Sequence, residues 1–202
     1  MNKPESICVF GDSTAWGAWD TEKGGWVNRL WLHTARGSES EEYCEVYNLS
    51  VSGGTTETIL ERFENESKIR GCEALIFQTG GNDAAQDKQG NFQISPDKFT
   101  SNIETIISKA KKVTDKIIFI GFKNVDESRS LPIPWADFYY RNENVEKYDQ
   151  IIKEACDKNE VLFLELPKLE KSDFADGVHP NVFGHEKIFT HVKNFLEKNN
   201  WI

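Results

Sequence analysis

A serine near one end of the sequence, and a histidine with an aspartate three residues before it near the other end, could do chemistry together. Ser13 stands in Gly11-Asp12-Ser13-Thr14, and His179 stands in Asp176-Gly177-Val178-His179-Pro180. In a turn, an aspartate at this spacing can accept a hydrogen bond from Nδ1 of the imidazole, which leaves Nε2 free to take a proton. A serine nucleophile requires that arrangement. The pattern therefore points to acyl transfer, provided that the fold brings the two ends together.

Both segments also have ordinary structural interpretations. Gly, Asp and Ser dominate turns, so residues 11–14 can be a turn with a serine cap, and a hydroxyl-rich loop that opens a helix also suits a phosphate. Residues 176–180 can be the start of a helix with a proline in its first turn. The other histidines fit a base less well, because His33 and His191 lie in helical stretches and His185 lies one turn into the last helix.

Two further loops carry hydrogen-bond donors. The first is Asn48-Leu49-Ser50-Val51-Ser52-Gly53-Gly54-Thr55, and the second is Gly80-Gly81-Asn82-Asp83. Glycines in such loops let the backbone come close to a ligand and present N–H groups to it, and Asn82 would add an amide donor. Taken singly, each loop also fits a tight strand-to-helix turn. The two loops indicate a functional site only if the fold places them beside the loop that carries Ser13.

Short apolar runs and helical stretches alternate along the chain, which predicts βαβ units and a parallel sheet. Strands are predicted at residues 6–10, 44–49, 74–79, 116–121 and 161–166. Helices are predicted over residues 96–113, 145–155 and 188–196, and after Gly25 and Thr56. Ligands of such sheets bind outside the carboxyl ends of the strands. Because the four polar segments each follow a predicted strand, we expect them to converge.

Composition narrows the class of protein. The 202 residues are 38% hydrophobic with a net charge of −9, which predicts one folded domain over residues 1–202 and argues against nucleic acid as a partner. No run approaches the roughly 20 apolar residues of a membrane span, and the amino terminus lacks an apolar run of signal-peptide length. The default expectation is a cytoplasmic protein, although a secreted protein that has lost its leader would look the same.

The four cysteines are widely scattered and include no C-x-x-C pair. This spacing argues against a zinc site and against a disulfide framework. We therefore predict that Cys8, Cys44, Cys72 and Cys156 are small core residues.

Together, the four polar segments resemble the blocks of the GDSL or SGNH hydrolases, in that family's order and over nearly the whole chain. The blocks here are Gly11-Asp12-Ser13, Ser52-Gly53-Gly54, Gly80-Gly81-Asn82-Asp83 and Asp176-Gly177-Val178-His179-Pro180. The resemblance implies a flavodoxin-like three-layer α/β/α sandwich around a five-stranded parallel sheet. It also implies hydrolysis of a small-molecule ester without a metal or cofactor.

The resemblance further implies roles for individual residues. Ser13 would be the nucleophile, His179 the base and Asp176 the residue that holds the imidazole. The Ser13 N–H, the Gly53 N–H and the Asn82 side-chain amide would form the oxyanion hole.

Gly54, Asp12 and Asp83 stand beside these residues and are not assigned a catalytic role. Either Gly53 or Gly54 could point its N–H inward, and Gly53 is preferred because it follows Ser52 as the block glycine of the family follows its neighbour. Asp12 and Asp83 stay outside the catalytic set, because each can fix its own turn by hydrogen bonding to the backbone.

Substrate preference is less defined by the sequence. Several aromatic residues have three possible roles: they could stack on a sugar, line an acyl pocket, or cover the core and join two copies in a homo-oligomer. They are Trp16, Trp19, Trp26 and those within residues 131–140. We expect small or carbohydrate-borne acyl groups. Lysophospholipase, thioesterase and acyltransferase activities stay open, with lipids ranked lower because no long apolar surface helix is predicted.

Two classes of protein without hydrolytic activity compete with an esterase. One is a noncatalytic carbohydrate-binding or interaction module of the same fold, which the loss of a triad residue would favour, but Ser13, Asp176 and His179 are all present. The second is a phosphate binder that uses residues 11–14, and it leaves the Asp-x-x-His spacing unexplained.

Overall fold

Five parallel strands form one sheet in the computed structural model, which describes residues 2–35 and 43–202. The strands are β1 (Ser6–Gly11), β2 (Glu45–Asn48), β3 (Ala74–Gln78), β4 (Ile117–Ile120) and β5 (Leu162–Leu164). Their order across the sheet is β2-β1-β3-β4-β5, the flavodoxin-like order. The register pairs Val9 with both Asn48 and Ile76, so the ends of the first three strands lie side by side. The predicted fold class is confirmed.

The helices cover both faces of the sheet, and the predicted helices are all present. They are α1 (Ser13–Trp16), α2 (Gly25–Ala35), α3 (Thr56–Arg70), α4 (Pro96–Ala110), α5 (Asn142–Asn159) and α6 (Val182–Lys198), with a 3₁₀ turn at Lys171–Asp173. The short α1 had no periodic signal because four residues do not complete a second turn. Helix α4 begins as its sequence predicts, since Ser95 caps it and Pro96 opens it.

Alternating side chains of the strands pack into two separate core layers, one on each face of the sheet. Ile7 and Val9 of β1 pack with helices α2 and α6, whereas Cys8 and Phe10 pack with α3, α4 and α5. The three central strands, β1, β3 and β4, are therefore buried on both sides, which explains why their sequences are almost continuously apolar, whereas the edge strands β2 and β5 are partly exposed. Since the two layers hold the sheet from both faces, the loops at the carboxyl ends of the strands have a rigid base.

The cysteines lie in the core as predicted, but two of them are paired. Cys8 and Cys72 form a disulfide with their Cα atoms 5.9 Å apart, whereas Cys44 and Cys156 are buried and free. The expectation that none would pair is thus wrong for Cys8 and Cys72. They are 64 residues apart in sequence, and only the pairing of β1 with β3 brings them together.

None of the helices in the described ranges combines the length and the apolar character needed to cross a membrane.

Candidate active site

Ser13, His179 and Asp176 form a continuous line of hydrogen bonds at the carboxyl edge of the sheet. Ser13 Oγ lies 2.7 Å from His179 Nε2, and His179 Nδ1 lies 2.7 Å from Asp176 Oδ2. The two ends of the chain, 166 residues apart in sequence, meet here. Because Nδ1 must carry a proton to bond the carboxylate, Nε2 is left as the acceptor that faces the serine hydroxyl.

The local backbone explains the position of Ser13. Strand β1 ends at Gly11, and a Cβ on that residue would lie 2.6 Å from the Cβ of Ala15, so the turn into α1 needs a glycine there. Asp12 caps α1 by accepting a hydrogen bond of 2.9 Å from the Thr14 N–H. Ser13 is consequently the first residue of a helix, with its backbone N–H at the amino end.

Asp176 is organised by its own turn before it touches the imidazole. Its Oδ1 accepts hydrogen bonds from the backbone N–H groups of Val178 (3.0 Å) and His179 (2.8 Å). Burial alone would raise the pKa of the Asp176 carboxyl, but the hydrogen bonds from the His179 side chain and backbone outweigh it and hold the pKa below its usual range. The carboxylate is therefore ionised throughout the neutral pH range.

The remaining histidines are engaged elsewhere. His185 is fully buried and its Nε2 donates to the Ala18 carbonyl over 3.0 Å, while His191 Nε2 donates to the Glu165 carbonyl. His33 lies 3.8 Å from the carboxylate of Glu197. Only His179 thus faces a serine hydroxyl among the four histidines, all of which the structure describes.

The three predicted oxyanion donors come from three loops. The Gly54 N–H donates to the Val51 carbonyl over 2.9 Å, whereas neither the Ser13 N–H nor the Gly53 N–H has a partner within the described residues. Gly53 also sits at φ 76°, in the left-handed region that favours glycine. The geometry therefore leaves the Gly53 N–H available and occupies that of Gly54.

Asn82 presents its amide with both ends engaged. Its Nδ2 donates to the Gly54 carbonyl over 2.9 Å, which uses one of the two amide hydrogens. Its Oδ1 accepts from the Tyr140 hydroxyl over 2.8 Å. Tyr140 lies in the aromatic stretch of residues 131–140, but no sequence pattern predicted its contact with Asn82, which spans 58 residues.

Asp12 and Asp83 lie beneath the site, both almost fully buried. Burial raises the pKa of Asp12 to about 7 and the pKa of Asp83 to about 6. Asp83 accepts hydrogen bonds from the backbone N–H and hydroxyl of Thr56, the first residue of α3, so it anchors that helix to the third loop. The hydrogen bonds of the Asp12 and Asp83 carboxylates go to Thr14 and Thr56 and not to Ser13 or His179.

Three tryptophans of the sequence occupy different environments. Trp26 is fully buried and donates to the Gln78 side chain, so it belongs to the core. Trp19 and Trp135 are more than half exposed, and both indole N–H groups point at Asp176 Oδ2, at 2.8 and 3.4 Å. The Trp135 ring stacks near the imidazole of His179 at 5.9 Å between centroids. Trp19 and Trp135 therefore form the wall of the site beside the base.

Two depressions differ in their relation to these residues. A small cavity of about 10 Å³ is lined by Ser13 and Asn82 together with the apolar side chains of Phe122, Val125, Val145 and Val178. A much larger cleft, about 640 Å³, lies along residues 123–128 and 163–174 and includes neither Ser13 nor His179. The small cavity is the one adjoining the serine.

Comparison with known proteins gives concordant matches. The model of the "GDSL-like Lipase/Acylhydrolase family" matches residues 9–187. An alignment over 113 residues is 31% identical to the uncharacterized lipoprotein YqeF of Bacillus subtilis (strain 168). It covers 54% of this chain and 44% of that protein, so the match spans less than half of the length of YqeF.

Two solved structures share the fold over almost the entire chain. A lipase/acylhydrolase from Enterococcus faecalis has a TM-score of 0.74 and 22% identity, with 98% of this chain and 97% of that chain covered. A variant of Axe2, an acetyl xylan esterase from Geobacillus stearothermophilus, has a TM-score of 0.72 and 17% identity, with 100% of this chain and 97% of that chain covered.

Proposed function

Because the chain belongs to the GDSL-like lipase/acylhydrolase family, we propose that it is a serine esterase that forms an acyl-enzyme on Ser13. The observation that carries the proposal is the continuous line from Ser13 Oγ through His179 to Asp176, with both contacts at 2.7 Å. The proposal is supported by the N–H groups of Ser13 and Gly53, which have no partner within the described residues, and by the second Nδ2 hydrogen of Asn82, which the Gly54 carbonyl does not use. Nucleophile, base and oxyanion donors are the complete set for acyl transfer.

In the first half of the reaction, Ser13 Oγ attacks the ester carbonyl carbon as its proton passes to His179 Nε2. The carbonyl π bond opens to a tetrahedral oxyanion, which the N–H groups of Ser13 and Gly53 and the Asn82 amide stabilise more than they stabilise the substrate. Ionised Asp176 stabilises the imidazolium. When the oxyanion collapses, the C–O bond to the alcohol breaks and His179 returns the proton to the departing oxygen.

In the second half, water replaces the alcohol. His179 takes a proton from a water molecule, whose oxygen adds to the acyl carbon, and a second oxyanion forms in the same hole. Collapse breaks the bond to Ser13 Oγ, which regains its proton from His179. The acid leaves and the enzyme is restored.

The substrate we propose combines a short acyl group with a carbohydrate alcohol. The cavity of about 10 Å³ beside Ser13 supports a group such as acetyl, since a longer chain would require its apolar lining to move. The exposed rings of Trp19 and Trp135 support an alcohol with a sugar ring, because apolar sugar faces pack on aromatic side chains and both rings flank the base that protonates the leaving oxygen.

A fluorophosphonate probe tests the mechanism without knowledge of the substrate. We expect intact mass to show one adduct on the wild type, peptide mapping to place it at Ser13, and Ser13→Ala to remain unlabelled while keeping its circular dichroism. A folded wild type that stays unlabelled would overturn the esterase proposal. Acetylated and longer-chain esters of one sugar then test the substrate class, with acetyl expected to give the highest kcat/KM.

A further inference from the structure

We propose that Tyr140 is a positioning residue for catalysis: its hydroxyl holds the Asn82 amide in the one orientation that directs a hydrogen of Nδ2 to the oxyanion. This inference rests on the proposed function and adds a residue to that site. The Tyr140 hydroxyl donates to Asn82 Oδ1 over 2.8 Å, and both side chains are buried.

The orientation of the Asn82 amide decides whether a hydrogen of Nδ2 or the oxygen Oδ1 faces the substrate. One Nδ2 hydrogen goes to the Gly54 carbonyl at 2.9 Å, so a single hydrogen remains for the substrate. Exchanging the oxygen and nitrogen ends would place Oδ1 against the Gly54 carbonyl oxygen, which is repulsive, and would withdraw the free hydrogen from its place. The Tyr140 donor stabilises the productive orientation from the other end, and a hydrogen bond to the oxygen of an amide also makes its N–H a stronger donor.

The Tyr140 hydroxyl must keep its proton to play this part. Burial raises the pKa of Tyr140, and the nearby carboxyls of Asp12 and Asp176 raise it further. The hydroxyl is therefore a donor across the working range of a histidine base. Asn82 Oδ1 in turn can only accept, so the direction of this hydrogen bond is fixed.

The backbone of Tyr140 is held on both sides. Its N–H donates to the Ser130 carbonyl at 3.0 Å, and the Ser130 hydroxyl donates to the Tyr140 carbonyl at 2.7 Å. The preceding residue, Tyr139, exchanges two backbone hydrogen bonds with Gln86, which follows Asn82 by four residues. Tyr140 is thus tied to the same loop whose side chain it orients.

Packing of the aromatic ring also fixes the position of the Tyr140 side chain. The ring packs in a small apolar cluster with Val125, Val145 and Val178, and only 5% of the residue is exposed. The ring also lines the small cavity beside Ser13, so it is the hydroxyl, bonded to Asn82, that acts through the amide. Its loss should therefore change turnover more than substrate binding.

Tyr140→Phe tests the proposal because it removes the hydroxyl and keeps the ring. We expect kcat for an acetyl ester to fall roughly 10-fold, the cost of about one hydrogen bond, with KM little changed. The matched control is Tyr148→Phe, which removes another buried hydroxyl, one that donates to the Ile94 carbonyl and not to a residue of the proposed catalytic set. That variant should keep the wild-type kcat.

A double-mutant cycle separates positioning from general packing. In an Asn82→Ala background, Tyr140→Phe should cause no further loss of kcat, because the amide it orients is gone. An unchanged kcat in Tyr140→Phe, a loss confined to KM, or a full additional loss in the Asn82→Ala background would overturn the proposal. Fluorophosphonate labelling of wild-type Ser13 is read in parallel. If it fails, the proposed function fails, whereas labelling with an unaffected Tyr140→Phe rejects only the role of Tyr140.

Discussion

Trp19 donates its indole N–H to Asp176 Oδ2 over 2.8 Å, and the same oxygen lies 2.7 Å from Nδ1 of His179. The carboxylate that orients the imidazole is thus itself oriented by a side chain that is half exposed to solvent. Trp19 adopts a φ of 66°, a conformation that a bulky residue rarely takes, so the surrounding contacts must hold it there. His185 contributes by binding the carbonyl of the preceding residue, Ala18.

Trp19→Phe should lower kcat/KM of an ester substrate roughly 3- to 10-fold, because the ring stays while about one hydrogen bond to Asp176 is lost. Trp135→Phe removes the longer contact of 3.4 Å and should cost less. Steady-state kinetics on both variants measures the difference. Equal losses in the two would show that the indole N–H of Trp19 has no special part in holding Asp176.

Ser13→Ala and His179→Ala should each lower kcat by roughly 10⁴-fold or more and leave the fold intact, as expected for residues that act as one unit. The double variant should lose little beyond either single one. His33→Ala is the matched control, since His33 lies in the last turn of α2 beside Glu197 and Phe189 and this variant should turn over like the wild type. Substantial turnover by Ser13→Ala would reject its role as nucleophile.

Asn82→Ala should reduce kcat by roughly 10²- to 10³-fold with KM little altered, because it removes a donor that is needed most in the transition state. Burst kinetics with a chromogenic acetyl ester would show whether acylation is the step that slows. An effect restricted to KM would instead assign Asn82 to ground-state binding.

Asp12→Asn should change how stability depends on pH. In the folded protein, burial raises the pKa of Asp12 to about 7, whereas the ordinary value is 3.8. Between these two values the folded state binds more protons at this position than the unfolded state, so this carboxyl makes the free energy of unfolding fall as pH rises from about 4 to about 7. Asparagine keeps an oxygen for the Thr14 N–H and has no charge to bury.

The expected result is a higher free energy of unfolding for Asp12→Asn at pH 8, by roughly 1 to 3 kcal/mol, and a clearly smaller difference at about pH 4.5. Urea unfolding followed by circular dichroism at the two pH values measures this. If the two proteins differed by the same amount at both pH values, Asp12 would not be titrating in this window.

Local patterns were enough to predict the fold. A strand buried on both faces must be continuously apolar, and a helix such as α4 must repeat apolar residues every three or four positions. Both kinds of element can therefore be recognised from the hydrophobic pattern of a single segment. The pairing of Asp176 with His179 is equally local, since a turn of three residues is enough to bring the carboxylate to Nδ1. The position of Ser13 after β1 followed from the same reasoning.

Local sequence patterns thus predict the layers, the edge of the sheet that carries the polar loops, and the residues that meet there. Only the tertiary structure shows that the Gly54 N–H is bonded to the Val51 carbonyl, while the Gly53 N–H has no partner within the described residues. It also decided which aromatic residues serve the site, since the contacts of Trp19 with Asp176 and of Tyr140 with Asn82 span 157 and 58 residues. Such contacts depend on how separate loops pack against one another, and the periodicity of a single segment carries no information about that packing.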